Sequence, residues 1–208
     1  MIITDDSLVN VRGATMCFTG RRPKDLCGYI RASYVPFVEG LKELLELCYQ
    51  LGIRNYITGG AQGFDQLVFW AVHSLKAKHQ DIYNIVYIPF KEQPSAWIKP
   101  TGLFSPDEYK KMLSLADNYR VIATVNTNNK WEINDAYAKR NHAMCDDSTC
   151  IMSLYPDDSF LRASGGTAEC MQYAYAHRLP MTRIEYYINN GILTGTFVTP
   201  VTIQRPLR

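Results

Sequence analysis

Short apolar runs alternate with longer amphipathic segments along most of this chain, and this alternation limits the fold more than any other feature of the sequence. Residues 82–88 are mostly apolar, as expected of a strand that is buried on both faces. Residues 36–51 instead place Phe37, Leu41, Leu44, Leu45 and Cys48 on one helical face, before a stop at Gly52. Strands that take turns with helices predict an α/β fold, in which an open and mostly parallel sheet carries helices on both faces.

The same periodicity predicts six strands, at residues 14–19, 55–58, 82–88, 120–125, 149–155 and 181–184. Helices are predicted at residues 36–51, 63–78, 106–116, 134–144 and 166–177. Residues 185–208 are rich in Thr, Val, Ile and Tyr around an Asn-Asn-Gly turn, which predicts a hairpin appended to the sheet or exchanged with a neighbouring subunit. We therefore expect one domain over residues 1–184, with residues 185–208 as a β-rich extension of it.

The charge balance argues against a protein that binds nucleic acid mainly through its charge. Lys and Arg total 22 and Asp and Glu total 20, so the formal net charge is only +2. No apolar run approaches the roughly 20 residues that span a bilayer, and the first residues are acidic rather than basic. We expect a cytoplasmic protein with no membrane partner, for which nucleic acid is an unlikely ligand.

The cysteines and histidines do not form a metal-binding pattern. The six cysteines are scattered through apolar segments with no CxxC pair, so we interpret them as reduced core thiols. The four histidines stand alone in or beside predicted helices, without HExxH spacing. No metal and no cofactor are predicted. Trp70 is interpreted as a core residue, whereas Trp97 and Trp131 lie in loop-like stretches where they can stack on a base.

Three glycine-containing turns follow predicted strands, and together they predict a site for an anionic ligand. In an open parallel sheet the carboxyl ends of the strands form the binding edge, and glycine lets backbone amides approach a phosphate closely. Taken singly, each turn also has a plain structural interpretation, as a connection that needs a positive φ. Neither GxGxxG nor GxxxxGK[ST] occurs, which argues against an ordinary dehydrogenase or ATPase. The candidate ligand-binding residues are Thr19, Gly20, Arg21, Arg22, Gly59, Gly60, Gln62, Gly63, Ser164, Gly165, Gly166 and Thr167.

Three sequence blocks carry a resemblance to a known family. They are CFTGRRP from Cys17, ITGGAQGFDQLVFWA from Ile57, and RNHAMCDDSTCIMSLY from Arg140 followed by SGGTAECMQYA. These blocks resemble those of YpsA-like proteins in the SLOG superfamily, relatives of the LOG-type and DprA Rossmann-like domains, over residues 14–184. The resemblance implies a Rossmann-like fold that binds nucleotides or nucleotide-derived ligands, such as an ADP-ribose-type molecule or a cyclic nucleotide.

Asp65 and Asp146 also belong to the candidate site, and each has more than one interpretation. Asp65 falls in the first turn of a predicted helix, where it either hydrogen-bonds a ribose hydroxyl or caps the helix. Asp146 either accepts a hydrogen bond from a ribose or from Arg140, or is simply solvated. The pair Arg140 and Asn141 is expected to pack and to orient its neighbours.

We first hypothesise a protein that senses or sequesters a phosphorylated nucleoside. An alternative is a nucleotide hydrolase that cleaves the N-glycosidic bond, as in LOG-type phosphoribohydrolases, with Glu169 and Arg140 as catalytic residues. Here Glu169 stands one residue early relative to the family's PGGxGTxxE block, and one residue turns a helical side chain by about 100°. That shift predicts a glutamate turned away from the sugar.

Two further functions remain as alternatives, and residues 91–106 are predicted to close the site. One alternative is DprA-like binding of single-stranded DNA, which the near-neutral charge disfavours. The other is an interaction protein whose β-rich tail builds an oligomer, and self-association is expected in every case. The proline-containing segment at residues 91–106 is our candidate for closing the site.

Overall fold

A computed structural model describes residues 13–97 and 102–201, with the side chains at residues 196–200 outside that description. Its strands form one seven-stranded sheet in the spatial order β4-β3-β2-β1-β5-β6-β7. All neighbouring strands pair in parallel except β6 and β7, which form an antiparallel hairpin. The strands are β1 (Ala14–Gly20), β2 (Ile53–Thr58), β3 (Tyr83–Ile88), β4 (Asn118–Val121), β5 (Cys150–Leu154), β6 (Met181–Asn189) and β7 (Ile192–Pro200).

Helices cover both faces of this sheet, because successive strand residues point to opposite sides. The helices are α1 (Val35–Gln50), α2 (Phe64–Leu75), α3 (Pro106–Leu115), α4 (Lys130–Asp146) and α5 (Gly166–Ala176). On β1, Met16 and Phe18 pack into the core beneath α1 and α2, while Cys17 between them packs into the core beneath α4 and α5. The third helix, α3, packs beside α2 over β3. The predicted Rossmann-like α/β class is confirmed.

The strand order reverses between β1 and β5. From β1 the chain adds β2, β3 and β4 outward on one side, and then returns to place β5, β6 and β7 on the other. At such a switch point the connections leave neighbouring strands in opposite directions, which opens a crevice at their carboxyl ends. The first and third glycine turns follow these two central strands, and the second follows β2 beside them.

Three predicted elements differ most from the structure, each by four or more residues at one end. The fourth strand was expected at residues 120–125 but lies at Asn118–Val121. The fourth helix was expected from residue 134 but begins at Lys130, because the Asn129 side chain accepts hydrogen bonds from the Trp131 and Glu132 amides and so caps an earlier turn. The sixth strand was expected to end at residue 184 but continues to Asn189.

The predicted hairpin is present and belongs to the same sheet. Asn190 and Gly191 connect β6 to β7 with φ of 50° and 73°, the positive values that a tight two-residue hairpin turn requires. Leu193 of β7 is fully buried in the core with α1, and a Cβ on Gly195 would lie 2.8 Å from the Phe37 ring. The hairpin therefore packs against α1 of its own chain in this structure.

The six cysteines are all unpaired, and Cys17, Cys48, Cys145 and Cys170 are buried. In the described ranges, no group of three or more His, Cys, Asp or Glu side chains is arranged to hold a metal ion. Within the same ranges, the helices are all too short or too polar to cross a bilayer.

Candidate functional site

A crevice of about 600 Å³ lies at the carboxyl ends of β1 and β5, at the point where the strand order reverses. Its walls come from the turn after β1, the end of β5, the first turn of α5 and one face of α4. The site residues predicted from the sequence that line it are Thr19, Gly20, Arg21, Arg22, Asp65, Arg140, Ser164, Gly165, Gly166, Thr167 and Glu169.

The turn after β1 brings Arg21 to the crevice in a fixed orientation. Gly20 is needed at this turn because a Cβ there would lie 2.4 Å from the Phe64 ring. The Arg21 guanidinium lies 4.3 Å from the centre of the Tyr155 ring, a cation–π distance, and its buried Nε has no hydrogen-bond partner. Arg21 thus offers a preoriented positive charge to a ligand.

The first turn of α5 is open to the crevice. Gly165 precedes the helix with φ of 108° and ψ of 158°, a conformation that essentially only glycine adopts, and no side chain caps the helix there. Ser164, Gly165 and Gly166 are exposed. Because the first amides of a helix lack partners within it and lie at the positive end of its dipole, this turn suits an anion.

Thr167 joins this helix to the turn after β1. Its Oγ1 donates a hydrogen bond to the Gly20 carbonyl oxygen at 2.7 Å, so the hydroxyl proton is used within the protein. The Thr167 hydroxyl thus holds together the two turns that line the crevice, and the role predicted for Thr167 as a phosphate ligand falls to its backbone amide.

The turn after β2 differs from the prediction, because Arg140 fills it. The Arg140 Nη1 atom donates to the Gly59 carbonyl oxygen at 2.6 Å, and a Cβ on Gly59 would lie 1.6 Å from that nitrogen. Gly59 therefore makes room for a guanidinium of the protein itself, and this turn is not an open phosphate cradle.

The other three predicted residues of the turn after β2 also lie outside the crevice lining. Gly60 faces Val86 and Tyr109, Gln62 donates its amide to the Phe104 carbonyl oxygen at 2.8 Å, and a Cβ on Gly63 would lie 2.4 Å from the Arg21 carbonyl oxygen. The α2 amino terminus is covered in the same way, since the Phe64 amide donates to that carbonyl oxygen. These residues therefore pack against neighbouring segments of the chain and do not line the crevice.

A buried charge cluster forms the floor of the crevice. The Asp65 Oδ2 atom accepts a hydrogen bond from the Ala61 amide at 3.3 Å and lies 3.7 Å from Arg140 Nη1, with both side chains 7% exposed. Burial raises the pKa of Asp65, while Arg140 and Arg22 act in the opposite direction. Burial likewise lowers the pKa of Arg22, against the attraction of Asp65. Asp65 thus acts as the buried counter-ion of two arginines.

Glu169 lines the crevice, although its sequence position predicted that it would turn away. Its Oε2 atom accepts a hydrogen bond from Asn141 Nδ2 at 3.1 Å, and its Oε1 atom lies 3.6 Å from His142 Nε2. Cys170, which takes the glutamate's place in the family pattern, is fully buried. Glu169, which stands one residue before the glutamate position of the family pattern, is therefore the residue that faces the crevice.

Asn141 connects Glu169 to the charge cluster. Its Oδ1 atom accepts from Arg140 Nε at 3.0 Å, while its Nδ2 atom donates to Glu169 and to the Gly166 carbonyl oxygen at 3.1 Å. A continuous chain of polar contacts thus runs from Asp65 through Arg140 and Asn141 to Glu169. The orienting role expected of Arg140 and Asn141 agrees with these contacts.

Several candidates lie away from the crevice. Asp146 is exposed at the carboxyl end of α4, just before β5 begins, and therefore lies at the opposite edge of the sheet, where it accepts from the Tyr173 hydroxyl. Trp97 packs edge-on against Tyr109, and Trp131 is 73% exposed one helical turn before Asn134. The described part of segment 91–106 contributes no lining residue.

Sequence reasoning missed part of the lining. Tyr155 was included in the fifth strand, although it directly follows β5 just as Arg21 follows β1. Asn134 and Tyr137 share one face of α4 with Asn141, at spacings of three and four, so the helical period would have revealed them once Arg140 and Asn141 were chosen. Lys24 and Asp25 also line the crevice, but no pattern in the sequence predicts that they do.

Comparison with known proteins finds a matching family model, a related protein and a similar solved structure. A family model described as the YspA SLOG family matches residues 16–188. An uncharacterized SPbeta prophage-derived protein, YoqJ of Bacillus subtilis (strain 168), is 36% identical over 129 residues, which cover 58% of this chain and 68% of that protein. DNA processing protein A from Helicobacter pylori, whose structure is described for its single-stranded DNA binding mode, is 14% identical with a TM-score of 0.49. That alignment covers 89% of this chain and 71% of that one.

Proposed function

The chain belongs to the YspA SLOG family, and from the geometry of its crevice we propose that it binds a nucleotide or nucleotide-derived ligand, as a sensor or a sequestering protein. The ligand's phosphate lies at the first turn of α5, where the backbone amides of Gly166 and Thr167 and the guanidinium of Arg21 contact it. An ADP-ribose-type molecule and a cyclic nucleotide both carry the required anionic group.

One observation carries this proposal: an open helix amino terminus and a fixed arginine face the same crevice at the switch point of the sheet. The exposed Gly165 and Gly166 allow close approach to the backbone, and Tyr155 holds Arg21 beside them. Backbone amides and an arginine fork together match the geometry of a phosphate. The crevice of about 600 Å³ falls within the range of small-molecule and cofactor sites.

The rest of the ligand extends over α4. Tyr137 presents an aromatic side chain and Asn134 an amide along the same wall, and the buried Asp65 and the partly buried Arg22 form the floor. An aromatic ring and a carboxamide suit the flat, hydrogen-bonding parts of a nucleoside.

The test is a thermal-shift and calorimetric titration with AMP, ADP, ADP-ribose and cyclic AMP. We expect at least one of them to raise the melting temperature of the wild type, because a ligand of the folded state stabilises it. Arg21→Ala should abolish that shift. Arg178→Ala is the matched control, since it removes the same charge from the carboxyl end of α5, at the opposite edge of the sheet, and should leave the shift unchanged. If no nucleotide of this panel and no inorganic phosphate binds the wild type, the proposal is wrong.

A second candidate function is hydrolysis of a nucleoside monophosphate at the N-glycosidic bond. It is supported by the position of Glu169, which faces the crevice and is held by Asn141 beside the α5 turn. A carboxylate so placed activates water or stabilises positive charge on the sugar. Arg140 is bound to Gly59, Asp65 and Asn141, so in this reaction it positions Glu169 through Asn141, and Arg21 holds the phosphate.

Release of free base from AMP, CMP, GMP and UMP tests this second candidate. Turnover by the wild type that is lost in Glu169→Gln, and retained in the exposed Glu43→Gln, would make the protein a hydrolase. Tight binding of a nucleotide without turnover at high protein concentration would leave only the binding function. Self-association and a cytoplasmic location stay predictions. Binding of single-stranded DNA stays a disfavoured alternative, to be tested with oligothymidine.

A further inference from the structure

We propose that Glu169 recognises the ribose of the ligand, so that the crevice selects ribonucleotides over deoxyribonucleotides. This inference rests on the proposed nucleotide binding and adds to it the class of sugar that the site accepts. The carboxylate accepts hydrogen bonds from the 2′- and 3′-hydroxyls of the ribose, and a deoxynucleotide lacks one of these donors.

The carboxylate of Glu169 lies beside the turn that holds the phosphate in the proposed function. One nitrogen atom, Asn141 Nδ2, donates at 3.1 Å both to Glu169 Oε2 and to the carbonyl oxygen of Gly166. Glu169 follows Gly166 by three residues, a rise of about 4.5 Å along the helix, and helical side chains lean toward the amino terminus. The carboxylate is therefore within reach of a sugar whose phosphate occupies this turn.

Contacts with both oxygens fix the direction of this carboxylate. Asn141 holds the Oε2 atom, and the Nε2 atom of His142 lies 3.6 Å from the Oε1 atom. The His142 ring is stacked on the Tyr173 ring, with centroids 3.9 Å apart, and the Tyr173 hydroxyl donates to Asp146. The Glu169 side chain is nevertheless 39% exposed, and an ionised carboxylate has about four lone-pair sites. It therefore faces the crevice with acceptor positions that a ligand can use.

A group that donates hydrogen bonds without carrying negative charge suits the space beside this carboxylate. A second phosphate there would meet a like charge, since Glu169 accepts hydrogen bonds and donates none when it is ionised. Its own charge is stabilised in the first turn of α5, at the positive end of the helix dipole. In a nucleotide the neutral donors nearest to the phosphate are the hydroxyls of the sugar, so the sugar is the part that fits here.

The other carboxylates considered for a sugar contact do not suit this role. Asp65 lies in the floor of the crevice, where it is 3.7 Å from Arg140 Nη1 and 7% exposed. Asp25 also lines the crevice, but it is an exposed residue of the short 3-10 helix after β1 and belongs to a different wall. Asp146 lies at the opposite edge of the sheet. Glu169 is therefore the lining carboxylate that stands beside the α5 turn.

The α4 wall gives the rest of the nucleoside a direction that agrees with this contact. Tyr137 and Asn134 lie about one and two helical turns before Asn141, on the face of α4 that lines the crevice. With the phosphate at the α5 turn and the sugar at Glu169, the base extends along Tyr137 and Asn134. One path through the crevice thus accommodates all three parts of a nucleotide.

The experiment compares AMP, 2′-deoxyAMP and 3′-deoxyAMP by calorimetry on the full chain. In the wild type, removal of either hydroxyl should weaken binding by about tenfold or more, because a hydrogen bond to a charged group is lost. Glu169→Ala should bind the three nucleotides with equal affinity. It should bind inorganic phosphate at least as tightly as the wild type does, because a like charge has been removed and the α5 turn is intact.

Asp25→Ala is the matched control, since it removes another carboxylate from the same lining. This variant should keep the preference of the wild type for AMP over both deoxy analogues. Loss of the preference in Asp25→Ala, with the preference retained in Glu169→Ala, would overturn the assignment to Glu169.

The remaining outcomes separate this inference from the proposed function. If the wild type binds AMP and both analogues equally, or if Glu169→Ala keeps the preference for AMP, the ribose contact is wrong while nucleotide binding stands. Weaker binding of 3′-deoxyAMP alone would overturn the selection against deoxyribonucleotides. If neither AMP nor inorganic phosphate binds the wild type, the proposed function itself fails, and the ribose contact fails with it.

Discussion

Arg140 and Gly59 depend on each other at the floor of the crevice. The arginine is 6% exposed, yet every contact described for it serves another site residue: it donates to Gly59, faces Asp65 and bonds to Asn141. A buried guanidinium is tolerated only when its donors and its charge are matched in this way. The sequence predicted Gly59 and Arg140 separately, but it gave no means of seeing that one fills the space above the other, because 81 residues separate them.

Gly59→Ala should therefore displace the Arg140 guanidinium, and not merely narrow the turn after β2. The added Cβ would lie 1.6 Å from Arg140 Nη1, so the guanidinium has to leave its place beside Asp65. We expect a loss of about 3 kcal/mol or more in the free energy of unfolding, because the buried carboxylate loses its partner. Urea denaturation measures this loss.

Gly40→Ala is the control for that substitution. Gly40 lies in α1 with nothing within 4 Å of the added Cβ, so the change should stabilise the helix by up to about 1 kcal/mol. Equal stabilities for the two variants would contradict the role assigned to Gly59.

At the level of elements, the sequence predicts the alternation of strands and helices well, but it predicts their first and last residues less well. Helix α4 begins four residues before its predicted start, because Asn129 and Glu132 form a capping pair that the apolar pattern does not reveal. The short β4 lies at the outer edge of the sheet, where pairing with β3 alone sets its limits. Which glycine turn is open to a ligand also depends on tertiary packing, which local sequence does not specify.

The first turn of α5 offers a matched pair of adjacent glycines. Gly165 has φ of 108°, which an L side chain rarely adopts, whereas a Cβ on Gly166 would meet only Asn141 Nδ2, at 4.0 Å. We expect Gly165→Ala to lower the free energy of unfolding by about 1–3 kcal/mol and to weaken nucleotide binding. Gly166→Ala should change stability by no more than about 0.5 kcal/mol. Denaturation curves in which Gly166→Ala is the more damaging change would contradict this geometry.

At the scale of the whole molecule, the hairpin is part of the core. The sequence predicted the hairpin but left open whether it joins this sheet or a neighbour's, because β-propensity alone does not specify a partner strand. Leu193 is 0% exposed and packs with α1, whereas the adjacent Ile192 is 42% exposed. The division at residue 184 stays a prediction, but the folded core extends beyond that residue.

Leu193→Ala should destabilise the protein by about 2–5 kcal/mol, because it leaves a cavity between β7 and α1. Ile192→Ala removes a similar side chain from a largely exposed position and should change stability by less than about 1 kcal/mol. Thermal and urea unfolding compare the two variants. Similar losses would show that Leu193 does not fill the space between β7 and α1.

The buried thiols provide a second test of the molecular core. Burial raises the pKa of Cys48 to about 11, and hydrogen bonding to Cys145 followed by burial raises that of Cys170. Because the thiolate is the reactive form, iodoacetamide at pH 8 should modify the partly exposed Cys27 first and leave Cys48 and Cys170 unmodified until the protein is denatured. Mass spectrometry of the peptides reads the result, and early modification of Cys170 would contradict the described packing of α5.

The central claim is that the first turn of α5 and Arg21 together hold the phosphate of a nucleotide. Backbone amide NMR of the isotope-labelled protein, titrated with AMP and ADP-ribose, tests it most directly. We expect the largest saturable shifts to fall on Gly165, Gly166, Thr167 and Arg21, and Arg21→Ala to remove them. Shifts confined to other parts of the molecule, or no shift at any concentration of either ligand, would contradict it.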